Sequence, residues 1–364
     1  MKHLKNAGRI ALGAMALSLI THFSKAQVGI GTETPQAKLH VHDGSFLITT
    51  PQLPAENDPF YDPGMPEPME YGLLWAQSKG AFRSIGQRVG VAGLDPNGFG
   101  AFSFAVGYET FATGNSAFSF GQRTSASGMG SFAGGFSTSA SGNYSYAYGS
   151  QTLASGHNAI ALGSGAIADA TNSVVIGNGS TNGKTGSFVL GYGNTQVKSV
   201  SNYQMTMAFT GGYRLYTDNM ATVGVLLPAN GNAWQVTSDV NKKENFAPVN
   251  GEDFLNKIAR MNLTSWNYKG QDPRTLRHYG PMAQDFFAAF GKDEYGTIGT
   301  DTTINQADFD GINLIAIQAL AKRTEQLEKQ NHELLVELAE IKAQLATSNR
   351  MPGGSKETGF AVKK

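Results

Sequence analysis

Written in rows of fourteen, the middle of this 364-residue sequence falls into columns. Gly93, Gly107, Gly121, Gly135, Gly149, Gly163, Gly177 and Gly191 form one, and Gly100, Gly114, Gly128, Gly142 and Gly156 a second. Ala112, Ala126, Ala140, Ala154 and Ala168 form a third. An apolar column runs through Phe104, Phe118, Phe132, Tyr146, Ile160, Val174 and Phe188. Two residues on, Val106, Phe120, Tyr148, Leu162, Ile176 and Leu190 form another, with Gly134 as the exception. A fixed short period held in register specifies a solenoid, each repeat one coil stacked on the last. The 45 glycines show no triplet period, so a collagen-like helix is excluded.

The residues of one row say how the coil is built. In "NSAFSFG" (Asn115–Gly121), Phe118 and Phe120 fall on one face of a strand and Ala117 and Ser119 on the other. The glycines mark corners that need positive φ or close backbone approach. Fourteen residues give two short strands and two turns, a coil too narrow to enclose large side chains. The small residues therefore belong inside and the large ones outside. The outward line of large residues is an apolar stripe that a monomer would not leave in water, so copies of the same chain should bury it. "NSVVIGNGS" (Asn172–Ser180) resembles the repeat of trimeric autotransporter adhesin heads, and the other rows are looser versions. The resemblance covers roughly Gly93 to Gly193 and implies a left-handed parallel β-roll in a three-chain assembly. Unlike that family, the C-terminal part shows no series of alternating strands for an outer-membrane barrel.

Lysine plus arginine equals aspartate plus glutamate at 28 each, so nothing favours nucleic acid or an anionic membrane as partner. Cysteine is absent, which removes disulfides, thiolate metal sites and a catalytic thiol. At the N-terminus, Lys2, Lys5 and Arg9 precede the apolar run "IALGAMALSLI", and "SKA" before Gln27 is a small-residue cleavage site. This reads as an export signal over 1–26, with a secreted or cell-surface product and no membrane-spanning anchor. His40 and His42 share a strand face in "LHVHDG" and read as solvated rather than as metal ligands. No metal or cofactor is expected.

After the repeats, "YQMTMAFTGGYRLYTD" and "ATVGVLLPANGNAWQV" read as strands. "GEDFLNKIARM" and "MAQDFFAAFG" have helical spacing, with the strand "LTSWNYKG" between them. The last apolar pattern is heptad: Ile317, Thr324, Asn331, Leu338 and Leu345 alternate with Leu320, Leu327, Leu334 and Ile341. That is the seam of a coiled coil, in which Thr324 and Asn331 trade stability for register.

At the change of character stands "SDVNKKEN", Ser238–Asn245. A serine hydroxyl becomes a nucleophile when a base takes its proton, and a lysine can be that base once desolvation leaves it neutral. The spacing alone equally suits a capped turn, "SD" being good turn chemistry. Four marks stand in order: Trp234 and "SDVNKKEN", "TSWNY" at Thr264–Tyr268, "HYGPMAQDF" at His278–Phe286, and the heptads. Together they resemble the self-cleaving intramolecular chaperone domain at the ends of phage endosialidases and tailspikes. The resemblance implies one cut between Thr237 and Ser238, with Ser238 as nucleophile and Lys243 as base. His278, Asn241 and Gln284 would be supporting polar residues. Asn241 stands where many members carry a basic residue, and Lys242 is the alternative base.

The expected fold is mainly β with a C-terminal α+β domain. A signal peptide (1–26) and an N-terminal β segment with a Pro-rich linker (27–92) lead to the β-roll head (93–199). A β stem (200–237), the chaperone domain (238–311), the coiled coil (312–346) and a polar tail (347–364) follow. The expected product is an exported homotrimeric fibre whose chaperone domain drives trimerisation and then cuts itself away, with a surface glycan or protein as receptor. A retained trimer clamp that no longer cuts is the competing reading. Glycan hydrolysis in the head is disfavoured. Between Gly98 and Gly193 the only acids are Glu109 and Asp169, four coils apart, or about 19 Å along the stack. Paired glycosidase carboxylates stand within about 5–10 Å.

Overall fold

The computed structural model describes residues 28–50, 69–88, 92–192 and 196–348. The export signal, the Pro-rich linker and most of the polar tail lie outside the described residues. The chain divides into two compact units. One runs to Tyr213 and includes Pro228–Asn232; the other takes Arg214–Leu227 and everything from Ala233.

The first unit is a parallel β-roll. Each coil contributes one strand of about five residues, such as Phe118–Gln122, and one of two residues, such as Ser125–Ala126. The long strands stack into one parallel sheet and the short strands into another. The register follows the period: Phe104 pairs with Phe118, Phe118 with Phe132, Phe132 with Tyr146, and Tyr146 with Ile160. The interior is filled by Ala105, Ala112, Ala126, Ala133, Ala140, Ala147 and their successors, all essentially inaccessible. Two glycine columns enforce the stacking in different ways. Gly121 has φ +111° and turns the corner, whereas Gly128 has no positive φ. A Cβ at Gly128 would overlap the carbonyl oxygen of Gly142 in the next coil. Asn115 and Asn143 bridge coils through their side-chain oxygens, which accept from the N–H groups of Ala101 and Met129 at 3.0 Å.

The N-terminal end departs from the period. Gly93 does not open the roll; it lies in a single 3₁₀ turn, Ala92–Leu94. The strand beneath Phe104–Tyr108 is instead Ala81–Arg88, which pairs Phe82 with Phe104 and Ile85 with Gly107. Ala81–Arg88 is the second arm of an antiparallel hairpin with Met69–Ala76, and Phe46–Thr50 adds a third antiparallel strand. The interval from Phe82 to Phe104 is 22 residues because the turns over Ala92–Gly98 intervene, so the fourteen-residue frame places the wrong residue at this corner. Under this end Arg83 is buried, donating to the carbonyls of Phe82 (2.8 Å) and Ala112 (2.7 Å) and to Ser103 Oγ (2.9 Å). Its guanidinium lies 4.0 Å from the centre of the Phe99 ring, and burial pushes its pKa down to about 10. At the other end, Phe188 pairs with Met205 after a 17-residue interval.

The second unit holds helices α1 (Gly251–Arg260), α2 (Ala283–Phe290) and α3 (Gln306–Ser348). The antiparallel pair Thr264–Trp266 and His278–Gly280 lies between α1 and α2 in sequence. Asn250 caps α1 by accepting from Glu252 N and Asp253 N, and Lys257 and Arg260 sit in its last turn, the favourable sense of the helix dipole. Gly251 lets α1 approach Ala319 on α3 closely, and Arg323 closes the contact on Glu252 at 2.5 Å. Phe254, Phe286, Phe290 and Phe309 form a small aromatic core. Beyond Leu320 every described side chain of α3 is exposed. No helix among the described residues is long and apolar enough to cross a membrane.

One row of the interior carries a test. The hydroxyls of Thr110, Thr138 and Thr152 are buried without a partner, whereas Thr124 meets Ser119 at 2.8 Å. Ala133 stands one coil above Ser119 in the same strand position. Ala133→Ser should give Thr138 its partner and raise the melting temperature, by an amount corresponding to about 1 kcal/mol. A lower melting temperature in calorimetry would show that the interior has no room for the added oxygen.

Candidate active site

Ser238 follows directly on the strand end at Gln235–Val236 and Thr237. Gln235 and Val236 pair with Leu226 and Val225 of the strand Gly224–Pro228, which fixes the backbone just before the Thr237 carbonyl. Asp239 then caps one 3₁₀ turn, Val240–Lys242. Its carboxylate accepts from Asn241 N and from Asn241 Nδ2, each at 3.0 Å. These bonds hold the Asp239 carboxyl below its usual range, chiefly through the Asn241 backbone N–H and then its side chain. At the exit of the turn, Lys243 Nζ donates to Ser238 Oγ at 2.8 Å. Asn245, with φ +56°, redirects the chain two residues later. All residues from Ser238 to Asn245 are exposed.

Of the two lysines, then, Lys243 reaches the serine. Asn241 supports the turn, its side chain engaged with Asp239. His278 lies elsewhere in the unit, paired with Trp266 across the two-stranded sheet. Its ring stacks on Trp266 at 4.7 Å and meets the Tyr268 ring edge-on at 5.5 Å. His278 Nε2 and Trp266 Nε1 are buried without hydrogen-bond partners. His278 Nε2 therefore makes no bond to Ser238 or Lys243. Gln284 stands exposed on α2, and Trp234 is exposed ahead of its strand. Sequence reasoning read Asp239 only as turn chemistry; its hold on Asn241 depends on a local conformation that the pattern alone does not display.

The two acids of the roll are engaged structurally. Glu109 is buried and forms ion pairs with Arg88 and Arg123. Asp169 accepts from Thr181 Oγ1 at 2.6 Å and Gly183 N at 2.8 Å, holding a loop. His40 and His42 meet edge to face at 5.9 Å, and among the described residues no group of three potential ligands could hold a metal ion.

The orphaned imidazole nitrogen makes a prediction. His278→Phe keeps a ring against Trp266 and removes a desolvated atom without a partner. Thermal melting of the full chain should show the C-terminal transition unchanged or raised, by the equivalent of about 1 kcal/mol. A clear drop would mean that Nε2 has a partner in solution.

Three windows of the roll, 112–138, 140–166 and 154–180, match the family model described as YadA head domain repeat (2 copies). Residues 238–293 match the model described as chaperone of endosialidase. No curated protein matches the chain. The chain thus joins head repeats of the YadA type to a segment of the endosialidase chaperone type, the architecture of a fibre-like protein.

Proposed function

We propose that the chain is an exported homotrimeric fibre whose C-terminal segment drives trimerisation and then releases itself by cutting between Thr237 and Ser238. The observation that carries the reading is the 2.8 Å contact between Lys243 Nζ and the Oγ of Ser238, the residue whose nitrogen belongs to the bond to be cut. In the proposed reaction Ser238 Oγ adds to the Thr237 carbonyl carbon while its proton passes to Lys243. The carbon–nitrogen bond of the resulting tetrahedral adduct breaks, and the Ser238 nitrogen takes that proton. Thr237 is then held as an ester on Ser238 Oγ. Water hydrolyses the ester, leaving a Thr237 carboxylate on the head and a free Ser238 amine on the released segment. A lysine abstracts a proton only when neutral, and burial favours the neutral form. In the single chain both side chains are exposed, so association with other copies is the step that would desolvate them.

Two exposed apolar surfaces support trimerisation. On the roll, the rings of Phe82, Phe104, Phe118, Phe132 and Tyr146 stack at 4.4–5.4 Å in one outward ladder that Ile160, Val174 and Phe188 continue. On α3, Ile317, Leu320, Leu327, Leu334, Leu338, Ile341 and Leu345 are each about half exposed. Joining the helices first raises the effective concentration of three sticky, repetitive strands and sets their alignment. Removing the helical segment afterwards leaves a fibre whose stability is kinetic. The head would meet a surface glycan or protein.

Expression of the full chain tests the chemistry. Ser238→Ala and Lys243→Ala should each leave an uncut, folded trimer on denaturing gels and in light scattering, whereas Lys242→Ala should still be cut. N-terminal sequencing of the small wild-type product should begin at Ser238. Cutting of Ser238→Ala at the same bond would reduce the serine to a turn residue and end the enzymatic part of the reading.

The ladder makes a separate prediction. Phe132→Asp would bury a charge in the trimer, at a cost of several kcal/mol, and should abolish it. Ser137→Asp, at an exposed corner with φ +53° that aspartate tolerates, should not. Equal trimer yields in sedimentation would mean that the ladder faces water.

A further inference from the structure

We propose that Asp239 is a positioning residue for the self-cleavage: its side chain closes the turn that carries Lys243 to Ser238. The inference rests on the cleavage reading above and adds to it the element that assembles the pair. Fully extended, five residues span about 17 Å, so the chain must fold back sharply for the two side chains to meet. No core does this, because Ser238 to Asn245 are exposed throughout. What remains is local bonding. Lys242 N donates to Asp239 O at 3.0 Å and Lys243 N to Val240 O at 3.2 Å, the two bonds of a single 3₁₀ turn. Short turns of this kind are weak unless their free N–H groups are capped. Asp239 Oδ1 supplies the cap, taking both the Asn241 N–H and the Asn241 Nδ2–H at 3.0 Å. Asn241 therefore contributes as a neutral double donor, through its backbone N–H and its side-chain amide. Asp239 touches neither Ser238 Oγ nor Lys243 Nζ through a hydrogen bond; it acts through the backbone between them.

The test uses the full chain, with rates read on assembled trimer isolated by size exclusion. Asp239→Ala should assemble as the wild type does and cut 10- to 100-fold more slowly, the usual effect of a misplacement of about 1 Å. Asp239→Asn keeps a side-chain oxygen for the Asn241 N–H. It should recover most of the rate, with the midpoint of the pH–rate profile unmoved. Asp239→Ala cutting at the wild-type rate would overturn the proposal. So would Asp239→Asn cutting as slowly as alanine, or with a displaced midpoint, since either would make the charge rather than the cap the active feature. Ser238→Ala is the control for the underlying reading: if it is cut, or if the wild type is not, the cleavage reading falls by itself. Crystal structures of the wild type and Asp239→Ala would then decide the positioning role. Loss of the Lys243–Ser238 contact in the variant upholds it, and persistence of the contact overturns it.

Discussion

The roll depends on how little space lies between one coil and the next. Backbone atoms of successive glycines come so close that a methyl group at Gly128 would overlap the carbonyl of Gly142, and the two interior walls leave room for little more than alanine, serine, threonine and valine. Along the fourteen-residue repeats, the aromatic and larger aliphatic side chains are forced outward. The stacked rings from Phe82 to Tyr146 are thus a by-product of a narrow interior before they are anything else. An interior this small gives little apolar burial per residue, so much of the order must come from the backbone ladders.

Where the sequence repeats, the structure was legible, because a period of fourteen fixes corners, inward columns and outward columns together. Phe118 outside and Ser119 inside follow from strand alternation alone. Legibility ended where the period did. Gly93 matches the glycine column in sequence yet lies in a 3₁₀ turn, and the strand that begins the stack comes from a hairpin with no repeat signature. Arg83 could not be read as an interior residue, since a charged side chain in a row of alanines makes sense only once Ser103, Phe99 and two carbonyls are seen around it. Around Ser238 the reverse held. Spacing and neighbouring blocks singled out Ser238 and Lys243, which the structure brings into contact, while the cap at Asp239 that shapes their turn was invisible as anything beyond a common turn residue. His278 was singled out as well, but its surroundings in the single chain are aromatic and do not include the serine.

The long helix shows the same division between what one chain satisfies and what it leaves open. Its first turns are held by α1, through Gly251, Ala319 and Arg323. Its remaining seam is apolar and bare. Most helical stability in proteins comes from packing of an apolar face, and beyond Leu320 that face is exposed in the single chain. Thr324 directs its hydroxyl back to the Leu320 carbonyl at 2.9 Å, so its polarity is already spent within the helix. Asn331 is then the main polar group on the seam, the kind of residue that fixes alignment between helices.

The hairpin at the start of the roll has a different consequence. Because Met69–Ala76 runs antiparallel to both of its neighbours, Ala81–Arg88 and Phe46–Thr50, the parallel stack is interrupted on this side. The repeats are bounded on that side by a structure unlike themselves, sealed beneath by Arg83. A segment of fourteen residues gained or lost in the middle would pair with its neighbours as its predecessors did and leave this boundary untouched. The height of the roll is therefore a quantised variable, about 4.8 Å for each unit of sequence. Its lineage could lengthen or shorten the head by duplication or deletion, as one adds or removes a course of bricks, without redesigning either the foundation or the join.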